Sequence, residues 1–308
     1  MIMEVFKKTG TDEVAFVYLA KNKEGKIIEF TESKLPQRSI EEKWILTISS
    51  LFGCPVSCPM CDAGTWYKGK LSMEEILFQI DYMISKRYPN KKVPCRKFKI
   101  QFARMGDPAL NDAVLEVLRN LPNLYDAPGL IPSVSTVAPA NCDQFFDKLL
   151  QIKNELYNNG NFQMQFSIHT TDILYRDVCV PIKKWSFKEI ATYGEKFFNS
   201  KDRKIVLNFP LSQKGVIDRE VLKRYFNPEI FIIKLTPINP TISVAKNHII
   251  NAVTKDTYSK IYGLIQELKD YRYETLLSIG ALEENEIASN CGFAIQAQTK
   301  AEFLKSTT

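Results

Sequence analysis

Apolar and polar positions along the chain follow two periods in turn. Residues 13–19 and 26–31 are short apolar-rich runs flanking Lys-Asn-Lys-Glu-Gly, a pattern that predicts a β-hairpin closed by a Gly-containing loop. After Leu35-Pro36 a further apolar run, residues 44–52, predicts a third strand. The period then lengthens. Ser72 with Glu75 three residues on forms a capping box, and Ile76, Leu77, Ile80, Met83 and Ile84 follow at helical spacing.

From there the two periods alternate. Strands are predicted at 98–102, 131–137, 162–168, 205–209 and 230–235, and helices at 111–121, 143–157, 187–198, 219–226 and 258–271. With the strand at 44–52 and its helix, this makes six βα units. Six is short of a closed eight-unit barrel, so the expected fold is α/β, an open partial (β/α)6 parallel barrel. A last strand at 274–279 and a short helix at 283–289 complete the pattern. The expected organisation is a hairpin extension over 1–40, the partial barrel over 41–271 and a C-terminal extension over 272–308.

One motif changes this picture from architecture to chemistry. Cys54-Pro-Val-Ser-Cys58-Pro-Met-Cys61 directly follows the 44–52 run. Three thiolates so closely spaced can hold three irons of a [4Fe–4S] cube and leave the fourth iron open to another ligand. A structural zinc would ask for a fourth protein ligand, and the chain has only two histidines, His169 and His248, with Cys95 far downstream. Disulfides fit less well: seven cysteines is an odd number, and the opening Met-Ile-Met-Glu-Val-Phe-Lys-Lys does not read as a secretory signal. No apolar stretch is long enough for a membrane span, so a reducing cytoplasm is the expected compartment. Hydrophobic residues at 45% and charged residues at 25% are ordinary for a globular chain. A net charge of +6 is compatible with a polyanionic partner such as RNA and equally with a lysine-rich composition alone.

Parallel barrels place chemistry at the carboxyl ends of their strands. Gly106-Asp107, Ser135-Thr136, Ser167-Ile-His169, Asn208 and Thr236-Pro-Ile-Asn239 all fall at those ends. Each alone reads as a turn or a satisfied hydroxyl. Together they come into phase with the cysteine motif.

The cysteine spacing strongly resembles that of the radical S-adenosylmethionine (SAM) superfamily. Within it, the chain resembles the methylsynthases that modify adenine in ribosomal and transfer RNA at carbon 2, and their antibiotic-resistance relatives acting at carbon 8. The resemblance is carried by Leu46-Thr-Ile-Ser-Ser-Leu-Phe-Gly-Cys54, Arg104-Met-Gly-Asp-Pro108, Ser167-Ile-His169, Arg176-Asp-Val-Cys-Val-Pro181, Thr236-Pro-Ile-Asn-Pro240 and Ile287-Ala-Ser-Asn-Cys291-Gly, in order along the chain. It implies a [4Fe–4S] cluster on Cys54, Cys58 and Cys61 with SAM on the open iron. Gly106 and Asp107 would meet the methionyl amine, and Ser135, Ser167, His169 and Asn239 the rest of the cofactor.

The implied chemistry is C-methylation of an sp2 carbon too electron-poor to take a methyl group directly from a sulfonium. The family methylates a cysteine, here matched by Cys291, uses the 5′-deoxyadenosyl radical to activate that methyl, and releases product through a second cysteine. The chain departs from the pattern at that second position, which is Thr47, with Cys142 and Cys179 as candidate substitutes. The family's N-terminal RNA-gripping domain has no counterpart ahead of the hairpin. Glu29 loosely matches a family acid and reads instead as a solvated strand residue. The alternative is radical chemistry without methyl transfer, on a small molecule, nucleotide or peptide, with Cys291 as hydrogen donor or bystander. Non-catalytic RNA- or partner-binding and zinc-stabilised readings remain behind these. The expected electron donor is a flavodoxin or ferredoxin. Lys183-Lys184 and Lys201-Asp-Arg-Lys204 are the candidate RNA surface, with solvated helix ends as the plainer reading.

Overall fold

The computed structural model describes residues 2–34, 38–253, 258–278 and 294–295. Strands β1 (Met3–Thr11), β2 (Ala15–Asn22), β3 (Ile27–Lys34) and β4 (Trp44–Ile48) run antiparallel to one another. The two short strands β5 (Leu51–Phe52) and β6 (Gly69–Lys70) pair beside the cysteine loop, ahead of α1 (Met73–Arg87). Then come β7 (Phe98–Phe102), α2 (Ala113–Leu124), β8 (Leu130–Thr136), α3 (Asp143–Leu156), β9 (Gln163–Ser167), α4 (Ile173–Cys179), α5 (Phe187–Phe197) and β10 (Ile205–Leu211). The described chain continues through α6 (Arg219–Tyr225), β11 (Phe231–Pro237), α7 (Ile242–Lys246), α8 (Tyr258–Asp270) and β12 (Thr275–Leu277). One ten-stranded sheet results, in the order β1-β2-β3-β4-β7-β8-β9-β10-β11-β12, parallel from β4 onward. Each strand of the parallel part joins the preceding strand of that sheet, and among the described residues β12 does not pair back to β4, so the barrel is open there, as expected.

The structure adds elements that the apolar pattern does not show. β1 lies on the outer edge of the sheet with most of its residues exposed, so no buried face marks it, and the expected hairpin is a three-stranded extension. The short α4 carries Ile173, Leu174 and Val178 on its exposed face, which hides its helical period. Helix α2 continues past its expected end through Pro122. Proline has no N–H to donate to the carbonyl four residues back, and that carbonyl, on Leu118, accepts the buried Tyr157 hydroxyl instead. The capping box on α1 forms as the sequence predicts: Ser72 Oγ accepts from Glu75 N, and the Glu75 carboxylate accepts from Ser72 N. The expected helix at 283–289 lies outside the described residues.

The parallel strands alternate sharply. Leu46, Ile48, Phe98, Ile100, Phe102, Val134, Met164, Phe166, Leu207, Phe209, Ile233 and Leu235 point under the helices and are buried. Each such side chain contributes about 1.5–3 kcal/mol by leaving water. The opposite, concave face carries half-buried Thr47, Lys99, Gln101, Ser135, Gln165, Ser167, Asn208, Lys234 and Thr236. Register aligns them: Thr47 pairs with Gln101, Ser135 with Gln165, Ser167 with Asn208, and Asn208 with Lys234. A closed eight-stranded barrel fills its interior with branched apolar side chains. This open one lines its interior with polar groups, which makes it a site rather than a core.

Candidate active site

The strand ends are tied together at Ser49 and Ser50, just after β4. The Gln79 side-chain amide reaches from α1 to both backbone groups of Ser49, at 2.8 and 2.9 Å. Ser49 Oγ donates to Glu29 O (2.6 Å) and accepts from Met105 N (3.1 Å), so β3, β4 and β7 end at one fixed point. Asn111 Nδ2 donates to Ser50 O and to Leu71 O, both at 2.8 Å. The cysteine loop springs from this platform.

Within the loop, glycines make close approaches possible. Gly53 has φ +80°, and a Cβ there would lie 2.3 Å from Trp66 O. A Cβ on Gly64 would meet Ser57 Cα at 2.7 Å. Cys54 N donates to Ala63 O (2.7 Å) and Cys61 N to Cys58 O (3.0 Å), which winds the loop back on itself. Cys54, Cys58 and Cys61 are half-buried and none is in a disulfide. Burial first, and then the neighbouring Cys61, push the Cys54 thiol up to about 12, while the backbone N–H groups of Val56 and Asp107 favour its thiolate. Cys58 is pushed well up by burial, Cys61, Cys54 and Asp107. Three thiols gathered this way disfavour one another's ionisation, and only a cationic group among them would hold all three as thiolates. Among the described residues no three His, Cys, Asp or Glu side chains converge on a single metal ion.

Asp107 stands beside Cys54 at the end of β7, after Gly106 at φ +92°. Its buried carboxylate accepts from Ala109 N (3.0 Å), Thr136 Oγ1 (2.7 Å) and Val137 N (2.7 Å), joining the ends of β7 and β8. Burial raises its pKa to about 6 against these hydrogen bonds.

A second set of contacts closes the far side. Asp62, next to Cys61 and fully buried, accepts from Ser243 N (2.7 Å) and Ile242 N (3.2 Å). Thr241 Oγ1 donates to Met60 O (2.9 Å), and Asn247 Nδ2 to Pro59 O (2.7 Å). This clasp draws the loop after β11 onto the cysteine loop. Between them and the concave face lies a cavity of about 420 Å³ lined by Cys61, Gln165, Asn208, Lys234, Thr236 and Asn239, among others.

The fold has a counterpart among known structures, and the sequence has relatives. A crystal structure of a radical SAM methyltransferase from Sphaerobacter thermophilus superposes with a TM-score of 0.72, covering 95% of this chain and 81% of that one at 17% identity. The fold is that of a radical SAM methyltransferase. In sequence, the chain is similar to the dual-specificity RNA methyltransferase RlmN of Helicobacter hepaticus, 26% identical over 202 residues, which is 63% of this chain and 52% of that protein. It is 26% identical over 242 residues to the probable RlmN of Streptomyces griseus, covering 75% of this chain and 62% of that protein. The chain thus spans about half to three fifths of the length of these relatives. No protein-family model matches it.

Against the radical SAM methyltransferase fold, the expected site residues take definite places. Asn239 and Cys61 line one cavity, while Asp107 lies against Cys54 and Gly106 against Leu51. Ser135 and Ser167 sit on the concave face. His169, at φ +70°, is buried near Arg176 and is not among the residues lining that cavity; its Nδ1 has no hydrogen-bond partner among the described residues. Thr47 faces the same interior, its Oγ1 3.4 Å from Gln101 Oε1. Cys142 precedes α3 and feels the charge of Asp107, whereas Cys179 is buried against Val56, Val137 and Val180. Cys291 lies outside the described residues. Glu29 corrects the sequence reading. It is fully buried rather than solvated, 2.9 Å from Arg104 Nη2, and Ile295 N donates to it at 3.4 Å. Its strand turns that side chain toward the barrel and the Arg104 guanidinium supplies the counter-charge that burial requires. Asp62, Thr241 and Asn247 are site-building residues the sequence does not announce, because about 180 residues separate the two halves of the clasp.

Proposed function

We propose that this chain is a radical SAM enzyme whose substrate is methylated at an sp2 carbon through Cys291. The observation that supports it most directly is the three-cysteine loop fastened over a polar cavity, with Cys61 and Asn239 on its wall. A [4Fe–4S] cluster on Cys54, Cys58 and Cys61 with SAM bound supplies reductive cleavage to a 5′-deoxyadenosyl radical. The chain's own part is to bind and aim. Val56 N and Asp107 N favour the Cys54 thiolate, Asp107 fixes the ends of β7 and β8, and the clasp keeps the Asn239 loop against the cysteines. Asn239, Asn208, Ser135 and Ser167 offer hydrogen-bonding groups to the cofactor's polar atoms. A reduced flavodoxin or ferredoxin is the proposed electron source, in a cytoplasmic setting. No described helix is long and apolar enough to cross a membrane.

RNA is the acceptor class that the names of the relatives point to. One observation favours the second reading, radical chemistry without methyl transfer: position 47 carries a hydroxyl held beside Gln101 in place of a thiol. A single experiment separates the two. The protein, purified and reconstituted without oxygen, is incubated with methyl-labelled SAM and weighed intact beside its Cys291→Ala variant. Label on the wild type alone establishes the thioether carrier. Absence of label with 5′-deoxyadenosine still formed establishes the second reading, and loss of neither iron nor EPR signal in Cys54→Ala, Cys58→Ala and Cys61→Ala would overturn both.

A further inference from the structure

The concave face carries charge that nothing described balances. Lys99, in β7, alternates with the buried Phe98 and Ile100 and so points into the interior. Lys234, in β11, lines the cavity that Cys61 borders. Both lysines lie on the concave face, with β8, β9 and β10 between their strands, and the charge of Lys234 adds to burial in disfavouring the Lys99 ammonium; Lys99 itself is not among the residues lining that cavity. Lys43, Lys97 and Arg203, at the feet of β4, β7 and β10, add to the same field. Glu29 pairs with Arg104, Glu274 with Lys204 and Asp202 with Lys153, so none of these acids pairs with either lysine. Neither Lys99 nor Lys234 makes an ion pair or hydrogen bond within the described residues.

Such an arrangement is unfavourable unless it is used. An ammonium taken out of water without a partner destabilises the fold, and a second one nearby compounds the effect. Burial and the neighbouring ammonium of Lys234 accordingly bring Lys99 down to about 7, and burial lowers Lys234 as well. Glutamine or methionine at either position would fill the same space without that cost.

We propose that the barrel interior binds a small anionic substrate, its terminal phosphate held between Lys99 and Lys234 with the rest of the molecule reaching toward the Cys61 side of the cavity. A terminal group suits the placement, since both ammonium groups lie inside the sheet and not along an outer groove that a nucleic-acid backbone would follow. Lysine is suited to this role as a compact point charge with three donors. That this anion belongs to the substrate rests on the small-molecule reading of the proposed function; that the site binds an anion does not.

The test uses the anaerobically purified full chain and inorganic phosphate as the probe, titrated by calorimetry at fixed ionic strength. SAM is titrated separately, and iron content is read on every sample. Saturable phosphate binding is expected in the wild type. Lys99→Gln and Lys234→Gln should each weaken it by about tenfold or more, the double variant should abolish it, and Lys99→Arg should retain it. Equal phosphate binding by the double variant, or none by the wild type, overturns the assignment. So does a loss of SAM affinity in these variants with no phosphate binding, because the lysines would then serve the carboxylate of SAM. A sample that binds phosphate but holds no iron would instead count against the cluster reading and leave the anion site standing.

Discussion

Replacing Arg104 with methionine isolates the buried ion pair that backs the site. The carboxylate of Glu29 is 0% exposed and the Arg104 side chain 5%, with 2.9 Å between Oε1 and Nη2. In the variant the buried carboxylate loses the Arg104 charge, and removing one partner of a buried pair costs about 3–5 kcal/mol. Against a total stability of about 5–15 kcal/mol for an ordinary domain, that is about a fifth or more. Glu29→Gln combined with Arg104→Met removes both charges, and replacing a buried pair by neutral groups is close to neutral, so the double variant should recover most of the loss. The coupling in this cycle should therefore exceed about 2 kcal/mol. Urea unfolding monitored by tryptophan fluorescence at pH 7.5 reads all four proteins. A single-variant loss under about 1 kcal/mol, or simple additivity of the two changes, would refute the argument.

Other substitutions probe the remaining parts. Gly106→Ala places a Cβ 2.4 Å from Leu51 Cγ at φ +92° and should cost about 3 kcal/mol in urea unfolding, whereas Gly25→Ala, with open space around it, should cost less. Asp62→Ala leaves the Ser243 and Ile242 N–H groups without their acceptor; a loss of about 2–3 kcal/mol and a weaker SAM titration are expected, with early proteolysis after Pro59 as the local readout. Burial, and then the charges of Arg176 and Lys184, lower His169 from 6.5 to about 4, so the folded state resists protonating it. Stability from this group is present above pH 6.5 and lost as pH falls toward 4, by about 3 kcal/mol. Comparison of wild type with His169→Gln across that range, or an imidazole NMR signal that titrates near 6.5, decides the point.

The βα alternation was legible because each parallel strand buries one continuous face: Phe98, Ile100 and Phe102 announce β7 as plainly as Met164 and Phe166 announce β9. The same rule explains what was missed. β1 buries Met3 and little else along an edge, and α4 turns Ile173, Leu174 and Val178 outward, so neither leaves a period to read. At the site, the cysteine spacing was local and visible. Glu29 looked like any strand acid because its partner, Arg104, lies in a different strand-end loop. Asp62 looked like a turn residue because the amides it holds, on Ile242 and Ser243, come from the other end of the barrel.

The order of the strands in the sheet has a bearing on how the molecule assembles. Since every strand from β1 to β12 in the main sheet lies beside its predecessor, each new βα unit finds its docking edge already made, and the sheet can grow from the N-terminus while the chain is still being synthesised. The clasp is the exception. Asp62 and Met60 wait for residues 241–243, about 180 positions later, before the cysteine loop is held. The scaffold is thus a local product of the sequence and the cavity a long-range one: the cavity closes after the framework around it exists, so the loop's thiols stay reachable until the barrel is nearly complete.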